Sequence, residues 1–192
     1  KISVHTVMDL SNVPITNDIA NVVMVNSTSK VTANEVIRLI KPEGVAILNN
    51  ELDYDKWLKS SSSMWQVSHL KKDGFNLLIK APYENTGEWS HQYGSADNSA
   101  YGGESLWGST GTDDFEIQWM GRPGPRFQTD RSGRKPSPLA VNGKMFVQGR
   151  ERVISVDAYN GHVFWSKELP GFNRMNVIRD CSNWVADDDF IY

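Results

Sequence analysis

LAVNGKMFVQGRERVISVDAYNGHVFWS, from Leu139 to Ser166, sets the architecture of the second half of the chain. Four short apolar runs in it alternate with turn-forming residues. We predict these runs to be strands at 139–141, 144–148, 152–156 and 162–166. The turns between them are Asn142-Gly143, Gly149-Arg150-Glu151 and Asp157-Ala158-Tyr159-Asn160-Gly161. Four short antiparallel strands with tight turns and a tryptophan on the fourth are typical of one propeller blade.

The composition of the whole chain is that of a globular protein. Of its 192 residues, 39% are hydrophobic, 22% charged and 10% aromatic, which excludes a disordered, collagen-like or coiled-coil chain. The net charge of -3 gives no general attraction to nucleic acid. The one cysteine, Cys181, excludes an internal disulfide and a CxxC metal site. The longest apolar runs, such as 22–25, are too short to span a bilayer.

The first 80 residues differ from the rest, because strand and helix signals alternate in them. Ala20 to Val25 is a β-branched run suited to a strand buried on both faces. Thr32 and Glu35 have the spacing of a capping box, and we expect Pro42 and Gly44 to end the helix that follows. Further predicted elements are a strand at 45–48, a helix at 53–60, and a hairpin of 65–70 with 75–80 about the turn 71–74. This order predicts an α/β sheet with an antiparallel edge.

Both ends of the chain have the character of strands rather than of polar tails. It starts at Lys1 with a predicted strand at 5–10, and it stops at Tyr192 inside a strand-like run. We therefore expect a fragment of a longer protein, whose first partner is the missing remainder of its own chain. An isolated blade and half a sheet leave unpaired strand edges, so we expect marginal stability or association.

Two runs in the first half carry a recognisable pattern. The first is DLSNVPI at 9–15 followed by DIANVV at 18–23, and the second is EVIRLIKPEG at 35–44. They resemble class I S-adenosylmethionine-dependent methyltransferases, in which an acid ends the third strand before an "LPF-D" loop and the fourth strand. The second run is similar to the family's "E-x-x-R-x-L-K-P-G-G" helix end, with Glu43 in place of the first glycine.

The resemblance implies a Rossmann-like sheet and S-adenosylmethionine as cofactor. It places the cofactor's Gly-rich turn and ribose-binding acid before Lys1, and it places Asp9 near the adenine. From the residues alone, Asp9 is a turn residue that caps its loop rather than a ligand.

The turn region of the predicted blade has a second recognisable pattern, VDAYNGHVFW at 156–165. It resembles the "A-x-D-A-x-T-G-x-x-x-W" repeat of quinoprotein-like β-propellers, the fold of pyrroloquinoline-quinone dehydrogenases. In such a turn Asp157 and Asn160 bond backbone amides, Gly161 accepts a positive φ, and Trp165 docks between blades. The resemblance implies that 88–94 leads into a first blade, that 117–119 is an outer strand, and that 183–192 opens the next blade.

We therefore expect an α+β chain of two parts. Residues 1–80 are the C-terminal part of a class I methyltransferase-like α/β domain, and residues 81–192 start an all-β quinoprotein-like propeller, with about one full blade plus flanking strands. The junction near Pro82 resembles that of large two-domain proteins from some environmental bacteria.

Basic residues form two candidate ligand sites in the second half. The loop 121–136 carries a set of arginines that predicts an anion-binding rim, because guanidinium forks match carboxylates and phosphates. These arginines are Arg122, Arg126, Arg131 and Arg134. The alternative is a solvated crossover between blades. Arg174 and Arg179 lie in a connection that, in propellers, reaches the central channel, where quinone enzymes hold the quinone and Ca²⁺.

Other candidate groups favour structural roles. Asp187 to Asp189 has no EF-hand spacing and predicts a turn between two strands, and we expect no metal site. Cys181 lacks the adjacent cysteine common in quinone enzymes, and no spacing pairs it with a histidine base.

Three functions follow from these features. The favoured one is a non-catalytic propeller module that binds a protein or polymer at its loops, without nucleic acid or a membrane span, joined to an incomplete methyltransferase-like domain. The alternatives are a fragment of a pyrroloquinoline-quinone and Ca²⁺-dependent oxidoreductase, or of a methyltransferase whose cofactor-binding half lies upstream. By resemblance, the propeller favours an extracytoplasmic location and the methyltransferase part a cytoplasmic one.

Overall fold

The computed structural model describes residues 8–26, 30–49, 53–59, 61, 66–106, 109–121, 137–149, 151–170 and 184–192. These residues form a mixed α+β structure, mostly strands, in two sheets of four strands. The chain divides into two compact units, Lys1–Tyr83 and Glu84–Tyr192, close to the boundary predicted after residue 80. The described part of the chain forms no closed barrel and no closed propeller.

The first unit contains four strands and two short helices. They are β1 (Ala20–Val25), α1 (Ala33–Leu39), β2 (Ile40–Leu48), α2 (Tyr54–Leu58), β3 (Val67–Lys72) and β4 (Phe75–Lys80). The sheet has the order β1-β2-β4-β3, with β1 parallel to β2 and the other pairs antiparallel. The predicted β-α-β unit with an antiparallel edge is thus confirmed.

The core of this unit lies between α1 and the sheet. Val36 and Ile37 on the helix pack with Ile40, Leu48 and Leu78 on the sheet, and all five are buried. Each such side chain contributes about 1.5–3 kcal/mol through the apolar surface that it removes from water. The sheet and helix therefore hold each other, as a short helix needs.

The start of α1 shows only half of the predicted capping box. The Thr32 side chain accepts the Glu35 backbone N–H at 3.2 Å, as expected for an N-cap. The Glu35 carboxylate instead accepts the backbone N–H of Val13 at 2.6 Å and pairs with Arg38 at 2.6 Å. Arg38 in turn donates to the carbonyls of Val13 and Ile15 at 2.8 and 2.7 Å. The Glu35–Arg38 pair thus ties the loop before β1 to the helix.

Lys80 forms a second tie, at the other end of α1. Its side chain is only 1% exposed, and its ammonium donates to the Asp18 carboxylate and to the carbonyls of Ile37 and Ile40 at 3.0 and 3.2 Å. Tyr83 donates its hydroxyl to the same Asp18 carboxylate at 3.0 Å. Burial lowers the pKa of Lys80, an effect that the Asp18 carboxylate opposes. The Lys80 ammonium is thus a hydrogen-bond donor to the two carbonyls at the end of α1, which have no partner within the helix.

Three predictions about this unit need correction or completion. β1 is not buried on both faces, because it is the edge strand of the described sheet, with Val22 55% and Met24 77% exposed. The helix ends at Leu39, before Pro42, because the next residue, Ile40, already belongs to β2 and pairs with Ala20 of β1. Most of the strand predicted at 5–10 lies outside the described residues, and 8–10 are not in a strand.

The segment around Glu43 is an irregularity within β2. The β1–β2 register shifts there, from Ala20–Ile40 to Val22–Val45. Glu43 adopts a φ of 63°, the left-handed conformation that glycine accepts most readily. The position at which the sequence departs from the "K-P-G-G" pattern is thus one that requires a positive φ.

The second unit has a four-stranded antiparallel sheet in sequence order. Its strands are β5 (Leu139–Val141), β6 (Lys144–Gly149), β7 (Arg152–Asp157) and β8 (Val163–Glu168). The four strands predicted from the sequence are confirmed, and the Asn142-Gly143 turn has the two positive φ values typical of a tight hairpin. The outer strand predicted at 117–119 is wrong, since these residues are in no strand.

Replacing Glu43 by glycine tests the left-handed position. We expect Glu43→Gly to raise the free energy of unfolding by about 1 kcal/mol, because a glycine relieves the strain of φ 63°. The neighbouring Gly44→Ala is the matched control. Its added Cβ would lie 2.7 Å from the Lys41 carbonyl oxygen, so we expect a loss of about 2 kcal/mol or more. Urea denaturation measures both, and a destabilised Glu43→Gly variant would contradict the interpretation.

The Glu35–Arg38 pair predicts a pH dependence of stability. Hydrogen bonding from Arg38 holds the pKa of Glu35 below its ordinary value of 4.5. Folding therefore favours the ionised carboxylate. Its stabilisation is complete above about pH 4.5 and is lost as the pH falls through the lowered pKa. We expect Glu35→Gln to cost about 2 kcal/mol at pH 7 and less near pH 3, by urea denaturation. A difference that stays constant between these pH values would contradict this assignment.

Candidate functional site

The turn between β7 and β8 is held by its own polar side chains. Asp157 is buried, and its carboxylate accepts the backbone N–H of Tyr159 at 2.9 Å. The Asn160 side chain accepts the backbone N–H of His162 at 2.9 Å. Gly161 has a φ of 70°, and its N–H donates to the Asp157 carbonyl at 2.8 Å. The turn thus enters β8 in one defined direction.

A segment distant in sequence covers this turn. Trp119 donates its indole N–H to the Ala158 carbonyl at 2.9 Å, and Gln118 donates to the Tyr159 carbonyl at 3.2 Å. A Cβ at position 161 would lie 2.5 Å from the Trp119 ring, so only glycine leaves room for the indole. Residues 117–119, predicted as an outer strand, instead hold the turn between β7 and β8 through the side chains of Gln118 and Trp119. The sequence signal was the isolated tryptophan, but its contact partner was not predictable from spacing.

Trp165 lies beside a groove in this unit. The ring is 40% exposed, on β8, and it lies 6.1 Å from the Phe146 ring of β6. The groove has a volume of about 770 Å³, and Val153 and Trp184 complete its apolar floor with these two rings. The residues after Trp184 form its other side, as a small hairpin closed by the pairing of Ala186 with Ile191. The segment predicted to open the next blade therefore packs on this one.

A bulge in β8 increases the aromatic surface of the groove. Ser155 pairs with Trp165, but the next residue, Val156, pairs with Val163, so that Phe164 is an extra residue. Bulges re-aim side chains, and Phe164 and Trp165 both line the groove although they are adjacent. The Ser155 hydroxyl beneath them is wholly buried and has no hydrogen-bond partner among the described residues. It is closed off from solvent, so the groove offers a ligand rings rather than this hydroxyl.

Charged groups of opposite sign border the groove. Lys144 and Lys167 lie on the sheet side, and the hairpin supplies Asp187, Asp188 and Asp189. The Asp187 carboxylate accepts the backbone N–H groups of its own turn, at 2.9 Å from Asp189 and 2.7 Å from Phe190, which lowers its pKa. This is the turn role predicted for the acidic run. Asp188 and Asp189 have exposed side chains that bond to none of the described residues.

A second polar cluster lies at the carboxyl end of β2 in the first unit. The rings of Tyr54 and His69 stack at 3.9 Å, and His69 Nε2 lies 3.0 Å from Asn76 Oδ1. Asn76 is opposite Leu48, where open α/β sheets bind ligands. Burial raises the pKa of Tyr54, and its hydroxyl has no partner in the described part of the chain. The two rings stack on each other, so this cluster is a packing contact at the end of the sheet.

The remaining predicted site residues divide into two groups. Asp9 is exposed, and its carboxylate accepts from the Ser11 backbone N–H at 2.8 Å and from the Ser11 hydroxyl at 2.7 Å, which lowers its pKa. It therefore caps its own turn. The predicted basic residues Arg122, Arg126, Arg131, Arg134, Arg174 and Arg179 lie outside the described residues.

Among the described residues, no three histidine, cysteine or acidic side chains are grouped so that they could hold a metal ion. No helix of the described ranges has the length and apolar character needed to cross a membrane.

Comparison of the chain with protein-family models, with curated proteins and with solved structures gives no match in any of the three.

Replacing Gly161 by alanine tests the contact of Trp119 with the turn between β7 and β8. We expect Gly161→Ala to lower the free energy of unfolding of the second unit by about 2–4 kcal/mol, through the positive φ and the collision with Trp119. In a Trp119→Ala background the same change should cost only about 1 kcal/mol, because the collision is gone. Equal losses in both backgrounds, measured by urea denaturation, would refute the contact.

Proposed function

We propose that the chain is a non-catalytic binding and scaffold module, a quinoprotein-like propeller blade attached to an incomplete methyltransferase-like domain. The groove beside Trp165 carries this proposal. Its floor is aromatic, and its rim carries both positively and negatively charged side chains. Large apolar pockets bordered by a few polar groups are the usual binding sites of proteins. The ligand site of the module is this groove.

The propeller part of the proposal is supported by the blade-like sheet. Its four antiparallel strands have the order β5-β6-β7-β8, and Asp157, Asn160 and Gly161 make the turn contacts that the repeat resemblance implies. Trp89 adds a bridge to Ala140 of β5, which is consistent with a lead-in segment beside the blade.

A second candidate function, a methyltransferase fragment, is favoured by the first unit. The order β1-β2-β4-β3 with a reversed last hairpin supports the resemblance, and so does the positive φ of Glu43 at the motif's glycine position. Two contacts count against a cofactor role for the described residues. Asp9 caps its own turn, and the Tyr54 and His69 rings stack on each other at the carboxyl end of β2.

Calorimetric titration distinguishes these functions. We expect the chain to give no saturable heat with S-adenosylmethionine, or with pyrroloquinoline quinone plus Ca²⁺, at ligand concentrations up to about 1 mM. Asp9→Ala is the variant for the titration with S-adenosylmethionine. Binding of S-adenosylmethionine that this variant weakens would replace the module by the methyltransferase function. Saturable binding of the quinone with Ca²⁺ would replace it by the oxidoreductase function.

A further inference from the structure

We propose that the groove takes an extended polypeptide strand of a partner protein, laid along the edge of β8 that pairs with no described strand, with one large apolar side chain in the groove. This inference rests on the proposed binding function and names the class of its ligand. It identifies the partner by chemistry alone: an extended segment with an apolar anchor between residues of opposite charge.

The edge of β8 accounts for the extended conformation of the ligand. Among the described residues β8 is the last strand of its sheet, and all six of its residues are exposed. An edge strand presents backbone N–H and C=O groups that a further strand can pair with. The bulge interrupts the strand at Phe164, so Trp165 to Glu168 form its regular edge. This short edge adjoins the groove that Trp165 and Lys167 line.

The floor of the groove accounts for the apolar anchor. The Trp165, Phe146 and Trp184 rings lie on it, and a volume of about 770 Å³ holds a leucine or phenylalanine side chain with space for its neighbours. Alternate residues of an added strand point to the same face as Trp165. One of them enters the groove, while the residues two positions away on each side lie at its rim.

The rim accounts for charges on both sides of the anchor. Lys167, two residues after Trp165 on β8, attracts an acidic side chain of the ligand, and Asp188 and Asp189 on the hairpin attract a basic one. A second copy of this chain is a poorer occupant. Pairing of two β8 edges over only the four residues 165–168 makes a contact far smaller than stable dimers use.

Capped pentapeptides test the proposal directly. The probes are Glu-Thr-Phe-Thr-Lys and Lys-Thr-Phe-Thr-Glu, so that either strand direction is offered, each with a control in which Ser replaces Phe. We expect one phenylalanine peptide to bind the chain with a Kd of about 10–500 μM by calorimetry, and the serine peptides to bind at least tenfold more weakly.

Variants of the chain locate the bound peptide. Trp165→Ala should weaken binding about tenfold, Trp165→Phe should restore most of it, and the double change Asp188→Asn and Asp189→Asn should weaken it about threefold and reduce its salt dependence. Phe115→Ala is the matched control, since this exposed ring of the same unit does not line the groove. It should leave the affinity unchanged.

Each contrary result identifies its cause. If no peptide binds up to about 1 mM, or if binding ignores Trp165→Ala, the peptide inference is overturned while the cofactor titrations still decide the proposed function. Binding of a soluble polysaccharide that Trp165→Ala abolishes would overturn the ligand class. Self-association that Trp165→Ala abolishes, by sedimentation velocity, would make a second copy the occupant and also overturn the inference.

Discussion

The contact between the Trp119 ring and the backbone of Gly161 leaves no room for a Cβ in the turn before β8. It holds the turn through which the chain enters β8, and that turn is already fixed by Asp157. β8 leaves this turn with a bulge at Phe164, and Trp165 then lies beside Phe146. The groove thus lies along the strand that this turn starts.

The first unit has charged contacts at its helix in addition to its apolar core. The pair of Glu35 and Arg38 ties α1 to the loop before β1, and Lys80 binds the C-terminal end of α1 through the Ile37 and Ile40 carbonyls. A helix of seven residues is too short to be stable alone, so these ties and its buried face set its position against the sheet. Truncating one partner of such a pair leaves a charge with its desolvation penalty and no attraction.

The sequence predicted what local chemistry determines. Asn142-Gly143 and Asp73-Gly74 marked two hairpins because both turns need positive φ values, and Thr32 marked the start of a helix. Long-range features could not be predicted in this way. An apolar run has the same pattern in a buried and in an edge strand, and the actual contacts of Trp119, Lys80 and the Asp187 hairpin join residues that no spacing relates.

The burial of Lys80 also makes its amine a chemical reporter. An acylating reagent modifies unprotonated amines that it can reach, and this amine is enclosed by Asp18 and two carbonyls. Its labelling therefore waits for the first unit to open, whereas exposed lysines such as Lys167 react at once. Mass spectrometry follows the labelling rate at this single position. That rate reports the opening of the first unit alone, without a signal from the tryptophan-rich second unit.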